Sequence, residues 1–249
     1  MRRAPLWILL SLLPLGCASA PPATTATTAA TAAEAIPAPA TMPDSVHWVR
    51  NSAEYHAAAI QAYHLATQQV EKAAAGLESG TWAVILDADE TVLDNSQYQK
   101  ERAGQSTSFT SESWNEWVKR VAAPPVPGAV TFLTRVHDLG GKVAIVTNRG
   151  EPVCGETQQD FVRYQIPFDV ILCGSGDKNA RWQKVADGTA SPQLPPLKVV
   201  MWVGDNILDF PGLDQSLRTK PEDAFKDFGT RFIVIPNPMY GSWVGNPRN

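Results

Sequence analysis

Four carboxylates, Asp87, Asp89, Glu90 and Asp94, fall within eight residues directly after the apolar run Trp82 to Leu86. Like charges packed that closely repel, so a site built from them needs an opposite charge. Other polar groups follow the same plan. Thr147-Asn148-Arg149 comes after the run Lys142–Val146, Asp177-Lys178 precedes a helical stretch, and Gly204-Asp205-Asn206-Ile207-Leu208-Asp209 comes after Val199–Val203. The set comprises aspartates, a hydroxyl and a lysine, a mixture suited to phosphoryl chemistry. Mg²⁺ takes hard oxygen ligands, and a dication with a lysine neutralises a phosphoryl group in transfer. An Asp carboxylate can attack phosphorus to give an acyl phosphate. A second carboxyl two residues on lies on the same side of an extended chain. It can protonate the leaving oxygen and later take a proton from water.

The elements that must position these groups alternate. Strands are expected at Trp82–Leu86, Lys142–Val146, Val170–Cys173, Val199–Val203 and Arg231–Ile235. Helices are expected at Pro127–Leu139, Glu156–Tyr164 and Lys178–Asp187, with a short one near Gly212–Leu217. Short β-branched runs separated by helices imply a parallel α/β sheet, which binds ligands beyond the carboxyl ends of its strands. Ahead of the first strand, 44–76 reads as a helical segment. Ser52 is placed to cap a helix start, and Ala59, Ile60, Tyr63 and Ala66 are expected on one buried face. His47, His56 and His64 lie there without a carboxylate or Cys at ligand spacing and read as structural or exposed.

The chain has 249 residues and a net charge of −4 with no Lys/Arg cluster, which argues against a nucleic-acid polymer as partner. Residues 1–17 read as a signal peptide: Met1-Arg2-Arg3 is basic, and the apolar core from Leu6 to Leu15 is too short to span a bilayer. Leu15-Gly16-Cys17 is a lipobox-like end, so Cys17 is the expected lipidation site and membrane anchor. A cut after Ala18-Ser19-Ala20 would instead give a soluble secreted form. The expected location is the cell envelope, as an outer-membrane lipoprotein or otherwise in the periplasm. Residues 18–43 are Ala-, Thr- and Pro-rich and read as a disordered tether, and 44–249 as the folded domain.

Asp87-x-Asp89-x-Thr91, Thr147, Lys178 and Gly204-Asp205-x-x-x-Asp209 together resemble the four motifs of the haloacid dehalogenase (HAD) superfamily. More narrowly, the chain resembles the class C bacterial acid phosphatases, the group that includes the surface lipoprotein e. That likeness extends to Ser52-Ala53-Glu54-Tyr55, Trp114-x-x-Trp117, Thr147-Asn148-Arg149 and Pro236-Asn237-Pro238-Met239-Tyr240-Gly241-Ser242-Trp243. The resemblance implies a Rossmann-like core with a parallel sheet, an N-terminal helical segment and a small helical cap at about 97–126. It implies a Mg²⁺-dependent phosphomonoesterase acting on 5′-nucleotides and other small organic phosphates. By the same resemblance Asp87 is the nucleophile and Asp89 the general acid/base. Mg²⁺ is held by the Asp87 carboxylate, the Asp89 main-chain carbonyl and Asp205, with Asp209 just behind. Thr147, Asn148 and Lys178 bind the phosphoryl group, and Trp114 and Tyr240 stack on the leaving group.

Several positions carry more modest expectations. Glu90 reads as a turn-capping group and Asp94 as the partner of a backbone amide. Trp117 reads as a core anchor, and Arg181, one turn past Lys178, as a competitor for the phosphate. Ala88 replaces an aromatic that class members carry, which would remove part of a base sandwich and shift substrate preference. Cys154 and Cys173 lie at neighbouring strand ends in such a fold, so a disulfide is a hypothesis beside two buried thiols. Phosphotransfer to another alcohol shares the phospho-enzyme and stays open, as does a non-catalytic surface-binding lipoprotein. Dehalogenases lack the second Asp, and transport ATPases carry Thr there.

Overall fold

The computed structural model describes residues 41–248. The expected signal peptide, Cys17 and nearly all of the 18–43 tether lie outside them. Among the described residues no helix is long and apolar enough to cross a membrane.

The apolar run becomes the middle strand. β1 (Trp82–Leu86) is buried at every residue, with β2 (Lys142–Val146) and β4 (Lys198–Gly204) parallel on its two sides. β3 (Val170–Leu172) and β5 (Phe232–Val234) complete the parallel order β3-β2-β1-β4-β5. A strand covered on both faces needs no polar alternation, and the residues of β1 divide by parity. Trp82, Val84 and Leu86 join one core with Tyr63, Val70, Phe132 and Val136. Ala83 and Ile85 join a second with Trp182 and Val185.

The helices are α1 (Asp44–Asn51), α2 (Ala53–Ala74), α3 (Ser96–Gly104), α4 (Ser111–Val118), α5 (Ala129–Asp138), α6 (Cys154–Arg163) and α7 (Asn179–Ala186). The Ser52 side chain caps α2, accepting from the Tyr55 amide at 3.0 Å. The buried stripe of α2 is Tyr55, Ala59, Tyr63, Ala66 and Val70. Ile60 is not in it and is 37% exposed, because the stripe advances by four and three residues and passes Ile60 by. α5 starts two residues later than the sequence suggests. Gly128 takes φ 91° as its N-cap, and a Cβ there would lie 3.0 Å from Tyr63 Cβ, so both conformation and closeness require glycine. After β4 the expected short helix is replaced by 3₁₀ turns at Ile207–Asp209 and Gln215–Thr219.

The chain lays β1, β2 and β3 outward in one direction, then places β4 on the other side of β1. That reversal opens a crevice at the carboxyl ends of β1 and β4. The opposite end of the sheet is pinned by Asp169, which accepts from the Val143 amide (2.8 Å), His137 Nε2 (2.8 Å) and Lys142 Nζ (3.0 Å).

Burial works against the Asp169 carboxylate, but the bonds from His137, Val143 and Lys142 hold its pKa at about 2. A carboxyl lowered by folding stabilises the fold above its unfolded pKa, and that contribution fades as pH falls through the folded value. Asp169→Asn should therefore cost on the order of 1–2 kcal/mol near neutral pH, discounted because His137 and Lys142 are partly exposed. The penalty should shrink toward about pH 3 in urea unfolding of both proteins. An equal penalty at both pH values would contradict this assignment.

Candidate active site

The backbone of β1 continues one residue into the site: the Asp87 amide donates to the Val203 carbonyl at 3.0 Å. The chain then folds back on itself. The amides of Val92 and Leu93 both donate to the Ala88 carbonyl, and that of Glu90 to the Leu93 carbonyl. Glu90 takes φ 56° to make this turn, an uncommon conformation for a side chain of its size. The loop is also tied to α2, whose Tyr63 hydroxyl donates to the Thr91 carbonyl at 2.6 Å.

Oxygens of Asp87, Asp205 and Asp209 all come within 4.8 Å of one another. Lys178, ahead of α7, bonds two of them: its Nζ donates to Asp87 Oδ1 and to Asp209 Oδ1, the latter at 2.7 Å. Asp205 is held by Thr91 Oγ1 (3.3 Å) and Asn237 Nδ2 (2.8 Å). The second oxygen of Asp209 accepts from the Asn206 amide at 2.9 Å. Gly204 lets Asp209 come this close, since a Cβ there would lie 2.3 Å from Asp209 Cβ. Burial, then the charges of Asp209 and Asp87, pushes the Asp205 carboxyl well above the usual range. Burial and Asp87 push Asp209 up to about 6. Burial opposes the Lys178 charge, yet Asp87 and Asp209 raise its pKa and keep it an ammonium.

Asp89 is fixed by other partners. Arg149 donates to Asp89 Oδ1 from Nε (2.9 Å), with its Nη2 ion-paired to the same oxygen at 2.8 Å, and Asn95 Nδ2 adds a second hydrogen bond to it at 2.9 Å. Among the described residues nothing donates to Oδ2. Burial and the Asp87 charge raise the Asp89 pKa against the pull of Arg149. Arg149 is itself fully buried and reaches Asp160 Oδ2 at 3.4 Å, while Asn95 Oδ1 accepts from Trp117 Nε1 at 2.8 Å. A Cys154–Cys173 disulfide joins the start of α6, which carries Asp160, to the end of β3. Its Cα–Cα distance of 5.9 Å fits the bridge that the sequence left open.

Asp87, Asp89, Trp114, Asn148, Lys178, Asp205, Asp209 and Tyr240 all line one cavity of about 850 Å³. Phe109, Leu208 and Leu213 join them and were not singled out in the sequence. Trp114 packs edge-on against Tyr98 at 5.1 Å and beside Phe109 at 6.3 Å. Thr147 is not in the wall; it is fully buried, and its hydroxyl accepts from the Arg149 amide at 3.1 Å. Trp117 is the core anchor expected. Ala88 is a correction: it is fully buried among core residues and absent from the cavity wall. Asp87 and Asp89 face the cavity, so the residue between them turns the other way, and it offers no surface to a substrate. Glu90 Oε1 accepts from the Asn95 amide at 2.8 Å, and Oε2 is buried without a partner. Burial, then Asp89, Asp205 and Asp94, pushes its pKa well up. Asp94 accepts from the Ser96 amide at 2.7 Å, the backbone role expected of it.

Residues 10–243 match the family model for the HAD superfamily, subfamily IIIB (acid phosphatase). The chain is 28% identical to acid phosphatase 1 of Solanum lycopersicum over 160 residues, covering 63% of this chain and 57% of that protein's length. It is similar to two solved structures of the class C acid phosphatase of Bacillus anthracis. The one with tungstate bound gives a TM-score of 0.71 at 27% identity, and the other 0.73 at 28%. Each spans 81% of this chain and 86% of the other.

The arginine missed as a site residue has the sharpest stability signature. Removing one partner of a buried ion pair leaves the other charge uncompensated, at about 3–5 kcal/mol. Arg149→Met, which strands both Asp89 and Asp160, is expected to lose that much in urea unfolding. A loss below about 1 kcal/mol would mean that the buried charges are satisfied some other way.

Proposed function

We propose a Mg²⁺-dependent phosphomonoesterase working through a phospho-Asp87 intermediate, on the premise that the chain belongs to subfamily IIIB of the HAD superfamily, the acid phosphatases. The observation that carries this reading is the cluster of Asp87, Asp205 and Asp209 around one ammonium, Lys178. Three carboxylates against one ammonium leave two negative charges, the amount a divalent cation neutralises.

The donor set fits Mg²⁺, being all hard oxygen. Asp87, Asp205 and the main-chain carbonyl of Asp89, to which no described residue donates, would hold it. Asp209 would stay behind them, since one of its oxygens is bonded to Lys178 and the other to the Asn206 amide. A bound dication would supply neutralising charge for the phosphoryl oxygens.

Asp87 would attack the phosphorus of a monoester while the bond to the leaving oxygen breaks. Asp89 would give that oxygen its proton from Oδ2, the oxygen left free by Arg149 and Asn95. The Asp89 carboxylate would then take a proton from water as that water attacks phosphorus, releasing orthophosphate and the Asp87 carboxylate. Lys178 and Asn148 would face the phosphoryl oxygens, with Thr147 beneath them. Trp114, Tyr240 and Phe109 give the cavity a partly aromatic wall, which favours flat leaving groups such as nucleosides and aryl alcohols. Export and a lipid anchor on Cys17 belong to the same reading and rest on the sequence of residues 1–17.

The test is p-nitrophenyl phosphate hydrolysis. Turnover should vanish in EDTA and return with Mg²⁺. Asp87→Asn should abolish it, and Asp89→Asn should lower kcat by about 10²–10⁴-fold. Undiminished hydrolysis in EDTA would remove the metal from the reading, and an active Asp87→Asn enzyme would remove the nucleophile.

A further inference from the structure

Arg181 stands one turn past Lys178, and its amide donates to the Lys178 carbonyl at 3.0 Å. A second cation here invites the view that it also binds phosphate, but its donors are directed elsewhere. Nη1 donates to the Thr147 carbonyl, and Nη2 to Asn148 Oδ1 at 2.6 Å. Nη2 also lies 3.4 Å from the carbonyls of Gly176 and Asp177. Gly174 leaves room for the guanidinium, since a Cβ there would come within 3.2 Å of Nη1. Arg181 is buried and does not line the cavity, whereas Asn148 is exposed and does.

A guanidinium has only donors, so it fixes which end of the Asn148 amide it meets. The oxygen is held toward Arg181, and Nδ2, the donor end, is left for the cavity side. No described residue accepts from Nδ2. Ionised phosphoryl oxygens only accept hydrogen bonds, so an amide presented oxygen-first would repel them. An unanchored asparagine would sample both orientations and pay the ordering entropy on binding.

We propose that Arg181 is a positioning residue for phosphoryl binding: it locks the Asn148 amide with its NH₂ toward the phosphoryl group while anchoring the Thr147 carbonyl to the start of α7. The proposal rests on Asn148 being a phosphoryl ligand, as under the proposed function. Its effect is on ground-state and product binding, with the chemistry left to Asp87, Asp89 and Lys178.

The experiment measures kcat, KM and the inhibition constant of orthophosphate for the Mg²⁺-loaded enzyme. The variants are Arg181→Met, Arg181→Lys, Asn148→Ala and each Arg181 change combined with Asn148→Ala. Loss of one charge-assisted hydrogen bond corresponds to about a tenfold weakening. Arg181→Met and Asn148→Ala should each weaken orthophosphate about tenfold with a smaller change in kcat. Arg181→Lys keeps the buried charge, and with it the fold, but has no fork to hold two oxygens; it should fall between. In the Asn148→Ala background neither Arg181 change should weaken orthophosphate further. Losses that multiply in the double variants would overturn the positioning role alone. An Asn148→Ala enzyme with unchanged phosphate affinity would overturn both it and the reading of Asn148 as a ligand. Unchanged affinity in Arg181→Lys and Arg181→Met, with Asn148→Ala impaired, would leave Asn148 a ligand and Arg181 a structural residue.

Discussion

The ammonium of Lys178, bonded at once to Asp87 and Asp209, is the contact on which the site depends. Asp205 lies within the same 4.8 Å cluster. Carboxylates this close cannot all ionise unless charge is brought to them, and one lysine neutralises only one of the three. The remaining negative charge makes the cluster receptive to a hard dication. With such a dication bound, the lysine's neighbourhood would also attract a phosphoryl group.

Bringing those groups together is the work of the sheet. β1 runs directly into Asp87 and its neighbour β4 into Asp205, so the reversal of strand order between them puts the two carboxylates across one crevice. The strands are rigid because both faces are packed, which fixes where Asp87 points. A separate charge system serves Asp89. Arg149, Asn95, Asp160 and Trp117 form a buried hydrogen-bonded set that immobilises one carboxylate oxygen and spares the other. Asp87 and Asp89 are thus two residues apart in the chain but held by unrelated parts of the fold.

Much of this was legible in the sequence. Apolar runs ending in Asp87, Thr147 and Asp205 announced strands with a polar carboxyl edge, and the parallel sheet follows them. What was not legible needed three-dimensional partners. Arg149 sits in the Thr147-Asn148-Arg149 motif, but that it clamps Asp89 is set by a contact 60 residues back in the chain. Arg181 could be read as a phosphate ligand until its guanidinium was seen to be taken up by Thr147 and Asn148. Ala88 reads for a substrate role because it replaces an aromatic of the resembling class, yet alternation along the extended chain turns it into the core. Ile60 was misplaced for a similar reason, because a helix stripe is narrower than the run of apolar residues that contains it.

The central claim is that Asp87 forms a covalent bond to phosphorus. Rapid acid quenching of the enzyme during turnover of a phosphomonoester with Mg²⁺, followed by peptide mass spectrometry, tests it most directly. The account predicts one phosphoryl group on the peptide containing Asp87, removable by hydroxylamine as expected for an acyl phosphate. Full turnover with that peptide unmodified under every quench time, or with the phosphoryl group on another residue, would contradict it.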